Sequence, residues 1–407
     1  MVQQFIPAEK NDVPPPIPVP CREAAPVILG IGGENKNTFC LLKKNQAFLS
    51  HYIGQIDSLE GEENLLASLQ NLENLTCVHP EVVAYDAHPG YISAQVARQI
   101  PAQAYVEVQH HHAHLASCLA ENGLKNEEVI GVILDGAGYG TDGHLWGFEI
   151  LTGNYDGFKR RYHLAYVPLP GGEAAIRHPW RTAVAYLLTF LGEEGKKYAR
   201  IIFKEKNLDI LERMIETGFN SPLSSGCGRL FDATSALLGI CLENTYEGQA
   251  AIELGGAVVE PEEGNALQPY PYEINKGIIL PGKLLAAIIN EKLTGKPVEI
   301  ISTRFHRTLV SIIGDVVGQV SAATGLKKVV LSGGSWQNQY LFRSAKKFFC
   351  ANGYQVLYHR QVPANDGGIA LGQVMIAQRR WRENVFRYTG QGGGSQSSGK
   401  LGSGGEF

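Results

Sequence analysis

Closely spaced cysteines are missing from this chain. Its seven cysteines stand far apart, at positions 21, 40, 77, 118, 227, 241 and 350, and no CxxC occurs. That spacing excludes a zinc knuckle and a disulfide framework, and leaves reduced thiols in a cytoplasmic protein as the expectation. Long apolar runs are missing too. None reaches the roughly 18 residues of a membrane-crossing helix, so no membrane partner is expected. A basic excess is lacking: 36 Lys and Arg face 40 Asp and Glu, for a net charge of −4. No nucleic-acid partner is therefore expected. Neither Gly-Lys-Ser nor Gly-Lys-Thr occurs, so a Walker A phosphate loop is excluded. The N-terminus has no basic stretch followed by an apolar one, and does not read as a signal peptide.

What the 407 residues do contain is the balance of a globular protein, 44% hydrophobic and 19% charged, with room for two or three domains. "MVQQFIPAEKNDVPPPIPVP" is a Pro-rich extended arm, taken to end at 26. At the other end, "GQGGGSQSSGKLGSGGEF" (390–407) is Gly/Ser-rich and carries the Lys-Leu, Gly-Ser and Glu-Phe pairs of common cloning sites. Residues 384–407 are expected to be a tail and linker, and 390–407 is given no functional weight. Between them, strand-like runs at 25–33, 38–44 and 47–54 suggest a meander. A helical pattern at 62–72, a strand at 81–86, a helix from 91, a strand at 104–109 and a histidine-rich helix closed by Gly123 follow. A second meander starts at 129, then a long helical stretch from 178 to 255, then two more strand–helix units. Two α/β lobes, each opened by a meander with a Gly-rich turn, are the layout of the actin/sugar-kinase/Hsp70-like ATPase fold. Lobe I is expected over 27–128 and lobe II over 129–383, with nucleotide and metal in the cleft between them.

"VQHHHAHLASC" (108–118) holds four of the chain's 12 histidines. On a helix, His110 and His114 share a face about 40° wide, whereas His111 and His112 point elsewhere. Two neutral imidazoles at that spacing are half a divalent-metal site. They are also compatible with a polar turn that only fills a cleft with hydrogen bonds. A third ligand is needed, and "PANDGGIA" (363–370) offers Asp366. "DGAGYGTDG" (135–143) and "LSGGSWQN" (331–338) each follow a β run. Glycines at a strand exit let backbone amides approach phosphate, although such turns also simply turn. "GCGRLFDATSALLG" (226–239) sets Asp232 one turn after Arg229, placed either to hold ribose hydroxyls or to form an ion pair. Cys118, among leucines, reads as a buried structural thiol rather than a nucleophile.

Together "VQHHHAHLASCLAENG", "LDGAGYGTDG", "LPGGEAAIRHPWR", "GCGRLFDATSALLG", "YEGQAAIELG", "RFHRTLV", "VVLSGGSWQN" and "PANDGGIALGQ", with "YDAHPGYIS" at 85–93, resemble the C-terminal half of the HypF family. These are the carbamoyltransferases of nickel–iron hydrogenase maturation. The likeness runs from about residue 26 to 383, with several long motifs in order. TsaD and the O-carbamoyltransferases of antibiotic synthesis are more distant relatives. Departures are Glu173, where the family more often has Asp, and Ser335–Trp336 after the glycine pair.

The resemblance implies a division of labour. A full-length member starts with acylphosphatase-like, Cys-rich and YrdC-like domains, the last making carbamoyl adenylate. The following half passes the carbamoyl group to the C-terminal cysteine of HypE, on the way to the cyanide ligand. The upstream modules are not in this sequence, which therefore reads as the transferase half alone. The resemblance carries catalytic and metal-ligand roles onto His110, His114 and Asp366, with iron, zinc and magnesium left open. It carries ATP, AMP or carbamoyl adenylate contacts onto Asp135, Gly136, Gly138, Gly140, Thr141, Gly228, Asp232, Gly333, Gly334 and Asn338. Carbamoyl transfer to a small-molecule hydroxyl and a non-catalytic nucleotide-binding scaffold are the competing readings.

Overall fold

The computed structural model describes residues 15–21, 25–76, 78–260 and 267–389. The Gly/Ser segment 390–407 and most of the Pro-rich arm lie outside the described residues. A first sheet contains β1 (Ile17–Pro18), β2 (Ile28–Gly30), β3 (Cys40–Lys43), β4 (Gln46–Leu49), β5 (Val82–Asp86) and β6 (Ala104–Val108), in the order β1-β4-β3-β2-β5-β6. Strands β2, β3 and β4 form an antiparallel meander, and β5 and β6 join in parallel. The arm is not all linker: Ile17 pairs with Ala47 at the sheet edge.

The second sheet holds β7 (Val129–Tyr139), β8 (Leu145–Gly153), β9 (Phe158–Leu164), β10 (Val167–Pro168), β11 (Leu223–Ser224), β12 (Glu273–Asn275), β13 (Ile278–Leu280), β14 (Lys328–Ser332) and β15 (Gln355–Tyr358). Its main path runs β12-β13-β9-β8-β7-β14-β15. Here too three strands meander, β7–β8–β9, and two join in parallel beside the first of them. Both lobes therefore repeat one strand order, third-second-first-fourth-fifth, which no sequence repeat announced.

Helices α1 (Leu59–Thr76) and α2 (Ile92–Gln99) cover the outer face of the first sheet, around a core that includes Leu29, Val83 and Leu65. The segment 178–255 is not one helical run. It divides into α5 (Pro179–Ile202), α6 (Leu208–Thr217), α7 (Cys227–Leu238) and α8 (Gln249–Gly256), after a short α4 (Glu173–Arg177). Gly192 kinks α5 with φ 55°, and Gly218 ends α6 in the left-handed region that glycine enters freely. With α9 (Gly282–Leu293) and α10 (Val298–Thr324), α5 and α7 cover the outer face of the second sheet. Helix α11 (Gln339–Ala351) connects β14 to β15.

Between the sheets lie α3 (His110–Glu121) and α12 (Ile369–Thr389). One core unites Ile28 and Val82 of the first sheet, Ala113 and Leu119 of α3, Val374 of α12, and Ile133 and Val330 of the second sheet. Helix α12, placed by sequence order with lobe II, thus packs on the first sheet as well as on α3. The reason is small residues. A Cβ on Gly372 would fall 1.9 Å from the Ala113 carbonyl oxygen, and one on Gly30 would fall 2.6 Å from that of Ala370. Backbones meet directly there, and α3 is held with its N-terminus at the junction of the lobes. No described helix is long and apolar enough to cross a membrane.

Candidate metal centre

His110 is the first residue of α3. The Gln109 side chain caps that helix, its oxygen accepting from the His112 amide at 2.8 Å and its amide donating to the Tyr139 carbonyl at 2.9 Å. This seats the histidine turn against the second sheet. His110 Nδ1 donates to Asp86 Oδ2 at 2.7 Å, at the C-terminal end of β5. That bond fixes the ring and turns Nε2 toward two carboxylates. Asp135 sits where the register between β7 and β8 shifts, between Leu134 and Gly138. Asp366 opens the turn into α12.

Four side chains converge as a result. His110 Nε2 lies 3.2 Å from Asp135 Oδ2 and 3.6 Å from Asp366 Oδ1. His114 Nε2 lies 3.5 Å and 3.6 Å from the same two oxygens. All four donor atoms are within 4.8 Å of one another. An ion with tetrahedral bonds of about 2.1 Å separates its ligand atoms by about 3.4 Å, so the set has the size of a coordination shell. His114 Nε2 is buried without a hydrogen bond, an orphan that an ion would satisfy. The donor set is that of a divalent metal, and the residues fit one.

Electrostatics agree. Burial disfavours charge on His110, but Asp86, Asp135 and Asp366 outweigh it and raise its pKa well above the ordinary value. His114 is raised in the same way by Asp135 and Asp366 against burial. Burial pushes the Asp135 carboxyl up, yet the two imidazoles hold it well below the usual range. His111 and His112 do not join. Burial lowers both, and His112 Nε2 is spent on the Asn154 carbonyl at 2.7 Å.

The residues expected to touch nucleotide are placed less uniformly. Asp135, expected in a phosphate loop, faces the histidines instead, while its Oδ1 accepts the Gly334 amide at 3.1 Å. Gly138, Gly140 and Thr141 lie on or beside a β7–β8 hairpin that leads to no helix N-terminus, and Thr141 is at its exposed tip. These glycines serve close packing: a Cβ on Gly138 would meet the His110 ring at 2.5 Å, and one on Gly140 the Trp146 ring at 2.1 Å. Gly333, at φ 108°, passes 2.2 Å, measured from a built Cβ, from the Leu134 carbonyl. Gly228 packs on Gly136, where its Cβ would lie 3.1 Å from the Gly136 Cα. Asn338 caps α11 through Leu341 and donates to His306 Nε2 at 2.8 Å, so its amide is occupied at both ends. Asp232 is buried with Arg229 Nη1 3.0 Å away, out of line for a hydrogen bond, and burial raises its pKa.

Sequence reasoning assigned no role to Asp86 or Lys36. Asp86 had a signal, an acidic residue closing an apolar parallel strand. Lys36 had none: its ammonium spans the cleft to Glu247, and against burial that partner, with smaller help from Asp366 and Asp135, raises its pKa.

Two lobes of one strand order, stacked as helices–sheet–helices–sheet–helices around a His/Asp cluster, define a protein of the actin/sugar-kinase/Hsp70 fold class with a candidate metal centre. Within that class, the chain belongs to the HypF carbamoyltransferase family. Residues 23–121 match the HypF Kae1-like domain, and 131–373 match the second subdomain of the carbamoyltransferase Kae1-like domain. The chain is 36% identical to carbamoyltransferase HypF2 of Cupriavidus necator, covering 88% of this chain and 47% of that protein. It is 35% identical to HypF of Rhodobacter capsulatus, over 92% and 50% respectively. A shorter HypF homolog of Cupriavidus necator is 35% identical and is covered over 92% of its length, against 87% of this chain. A crystal structure of full-length HypF in a phosphate- and nucleotide-bound form superposes with a TM-score of 0.85 at 40% identity, over 90% of this chain and 48% of that one. The chain thus spans about half the length of most of the curated relatives it matches.

Proposed function

We propose that this chain carries the carbamoyl-transfer step of a HypF-type enzyme. It would take carbamoyl adenylate and pass the carbamoyl group to the C-terminal cysteine thiolate of HypE, for cyanide ligand synthesis. The observation that carries the reading is the convergence of buried His110, His114 and Asp135 with partly buried Asp366 at the lobe junction of a HypF-family chain. Iron, zinc or magnesium held there by His110, His114 and Asp366, with Asp135 beside them, would supply Lewis acidity toward the oxygens of the bound adenylate.

The chain's own residues do the rest. Carbamoyl adenylate is a mixed anhydride, already activated, so the site must bind it, orient it and keep water away. Asp86 and the Gly334 amide hold His110 and Asp135 in place. Asp232, Gly136 and Gly228 would line the side on which the AMP leaving group rests. No nearby cysteine suits nucleophilic work. Cys118 and Cys227 are fully buried, and burial pushes both thiols up, Cys227 to about 12. The acceptor is therefore taken to come from outside this chain, and the HypE thiolate is the one proposed.

The test is mass spectrometry of HypE after incubation with this chain. With carbamoyl phosphate, ATP and a YrdC-like domain added in trans, the C-terminal cysteine should gain one carbamoyl group. With carbamoyl phosphate and ATP alone it should gain almost none. Full transfer by the isolated chain under the second condition would show the adenylate-forming step to be misplaced. No transfer under the first would favour a nucleotide-binding scaffold.

A further inference from the structure

Behind His114 runs a second buried chain of polar groups that the chemistry above does not use. His114 Nδ1 lies 3.4 Å from Ser332 Oγ, at the end of β14. Ser332 Oγ is 2.8 Å from His359 Nε2, just past β15. His359 Nδ1 is 2.8 Å from Glu121 Oε2, the last residue of α3. Glu121 is saturated by the loop that leads to Asp366. Its Oε1 accepts from the Arg360 amide and, at 2.6 Å, from the Gln361 amide, and its Oε2 accepts weakly from Val362 at 3.4 Å. Ser332 is fully buried, and the side chains of His359 and Glu121 are 4% and 1% exposed. A carboxylate so deep is costly unless it is bonded on every side, and this one is.

We propose that Glu121, His359 and Ser332 are positioning residues that set the tautomer of His114 and so leave its Nε2 lone pair free for a metal. The direction of the chain follows from its fixed end. A carboxylate can only accept, so His359 Nδ1 must carry the proton given to Glu121. In the proposed relay Nδ1 is the one protonated nitrogen of His359, so its Nε2 is bare and accepts from the Ser332 hydroxyl. Ser332, its proton committed, accepts from His114 Nδ1–H. In the neutral ring that binds a metal, His114 Nε2 is then left without a proton, directed at Asp135 and Asp366. Run the other way, the chain would put the proton on His114 Nε2 and block coordination. His110 reaches the same state by one direct bond to Asp86. His114 reaches it through three residues, and these tie the end of α3 to the loop carrying Asp366.

This inference rests on the metal reading of the site, and the experiment separates the two. Glu121→Gln keeps the shape. Its carbonyl remains opposite the Arg360 and Gln361 amides, so its NH2 faces His359 Nδ1 and the chain reverses. Nitrogen-15 shifts of His359 should report Nδ1–H in the wild type and Nε2–H in this variant. Zinc binding to the full chain, titrated calorimetrically with Zn2+ alone, should weaken about 10- to 100-fold. Ser332→Ala should weaken it similarly, with His359 keeping its tautomer, and Ser332→Thr should restore near wild-type affinity. If Glu121→Gln does not fold, the Ser332 pair decides alone. Tight zinc binding by the wild type that is unchanged in Glu121→Gln or Ser332→Ala would overturn the relay. A wild type that binds no zinc, with His359 still Nδ1-protonated, would sink the metal reading itself and the relay's purpose with it.

Discussion

At the scale of single residues, the site separates histidines by their bonds rather than by their type. His114→Ala removes one of four converging donors and should abolish stoichiometric metal binding. His112→Ala removes the bond to the Asn154 carbonyl and the packing on Phe158, neither of which touches the cluster, and should keep most of the metal. Elemental analysis of the two purified variants checks this, and equal loss in both would refute the assignment. Gly138→Ala is the sharper probe, because its methyl would sit 2.5 Å from the His110 ring. It should cost at least tenfold in metal affinity while the metal-free chain stays folded by circular dichroism. The i, i+4 spacing of His110 and His114 was legible in the sequence because a helix imposes it. The place of Asp135 in the cluster was not. A register shift in β7 turns its side chain toward the histidines, and nothing in the run of glycines around it records where β8 breaks step.

At the scale of elements, two contacts carry predictions. The first is the crossing of α3 and α12. Gly372→Ala would drive a methyl to 1.9 Å from the Ala113 carbonyl oxygen. Backbone cannot yield as a side-chain end can, so the helices must separate, at a cost of about 2–3 kcal/mol. Urea unfolding of the metal-free variant measures it, and an unchanged midpoint would mean that the helices are not in contact. The second is His306 on α10, whose Nδ1–H donates to the Ser302 carbonyl and whose Nε2 accepts from Asn338. Burial pushes its pKa down to about 4, against about 6.5 in an unfolded chain. Between these values the unfolded state binds the extra proton. Stability from this residue is therefore complete above about pH 6.5 and declines as pH falls toward 4, by up to about 1.4 kcal/mol per unit. In urea unfolding between pH 7 and 4.5, His306→Gln should have a pH slope shallower by close to one proton than the wild type.

At the scale of the whole molecule, the lobes meet along α3 and α12, and the cleft is spanned by Lys36 and Glu247. Ligand that binds the folded chain across this junction stabilises it by mass action, by about 2.7 kcal/mol at a hundredfold excess over Kd. AMP or ATP with a divalent cation should therefore raise the melting temperature by several degrees. Asp232→Asn, which keeps the side-chain volume beside Arg229, should reduce that shift while leaving the ligand-free melting temperature nearly unchanged. No shift at millimolar nucleotide would count against a nucleotide cleft between the lobes.

The sequence by itself determined the local features. Alternation and apolar runs specified both meanders and the parallel strands, Gly123 closed the histidine helix, and the helical period put His110 and His114 on one face. These depend only on neighbours along the chain. Tertiary structure alone decided the rest. It set α12 between the sheets, brought Asp366 across from a segment more than two hundred residues downstream of the histidines, and turned Asp135 into the cluster. It also occupied Asn338 in a helix cap and joined Glu121, His359 and Ser332 into one line. Each of these is a meeting of residues far apart in sequence, governed by packing and by the need to satisfy buried polar groups, and a linear pattern does not encode which distant groups will meet.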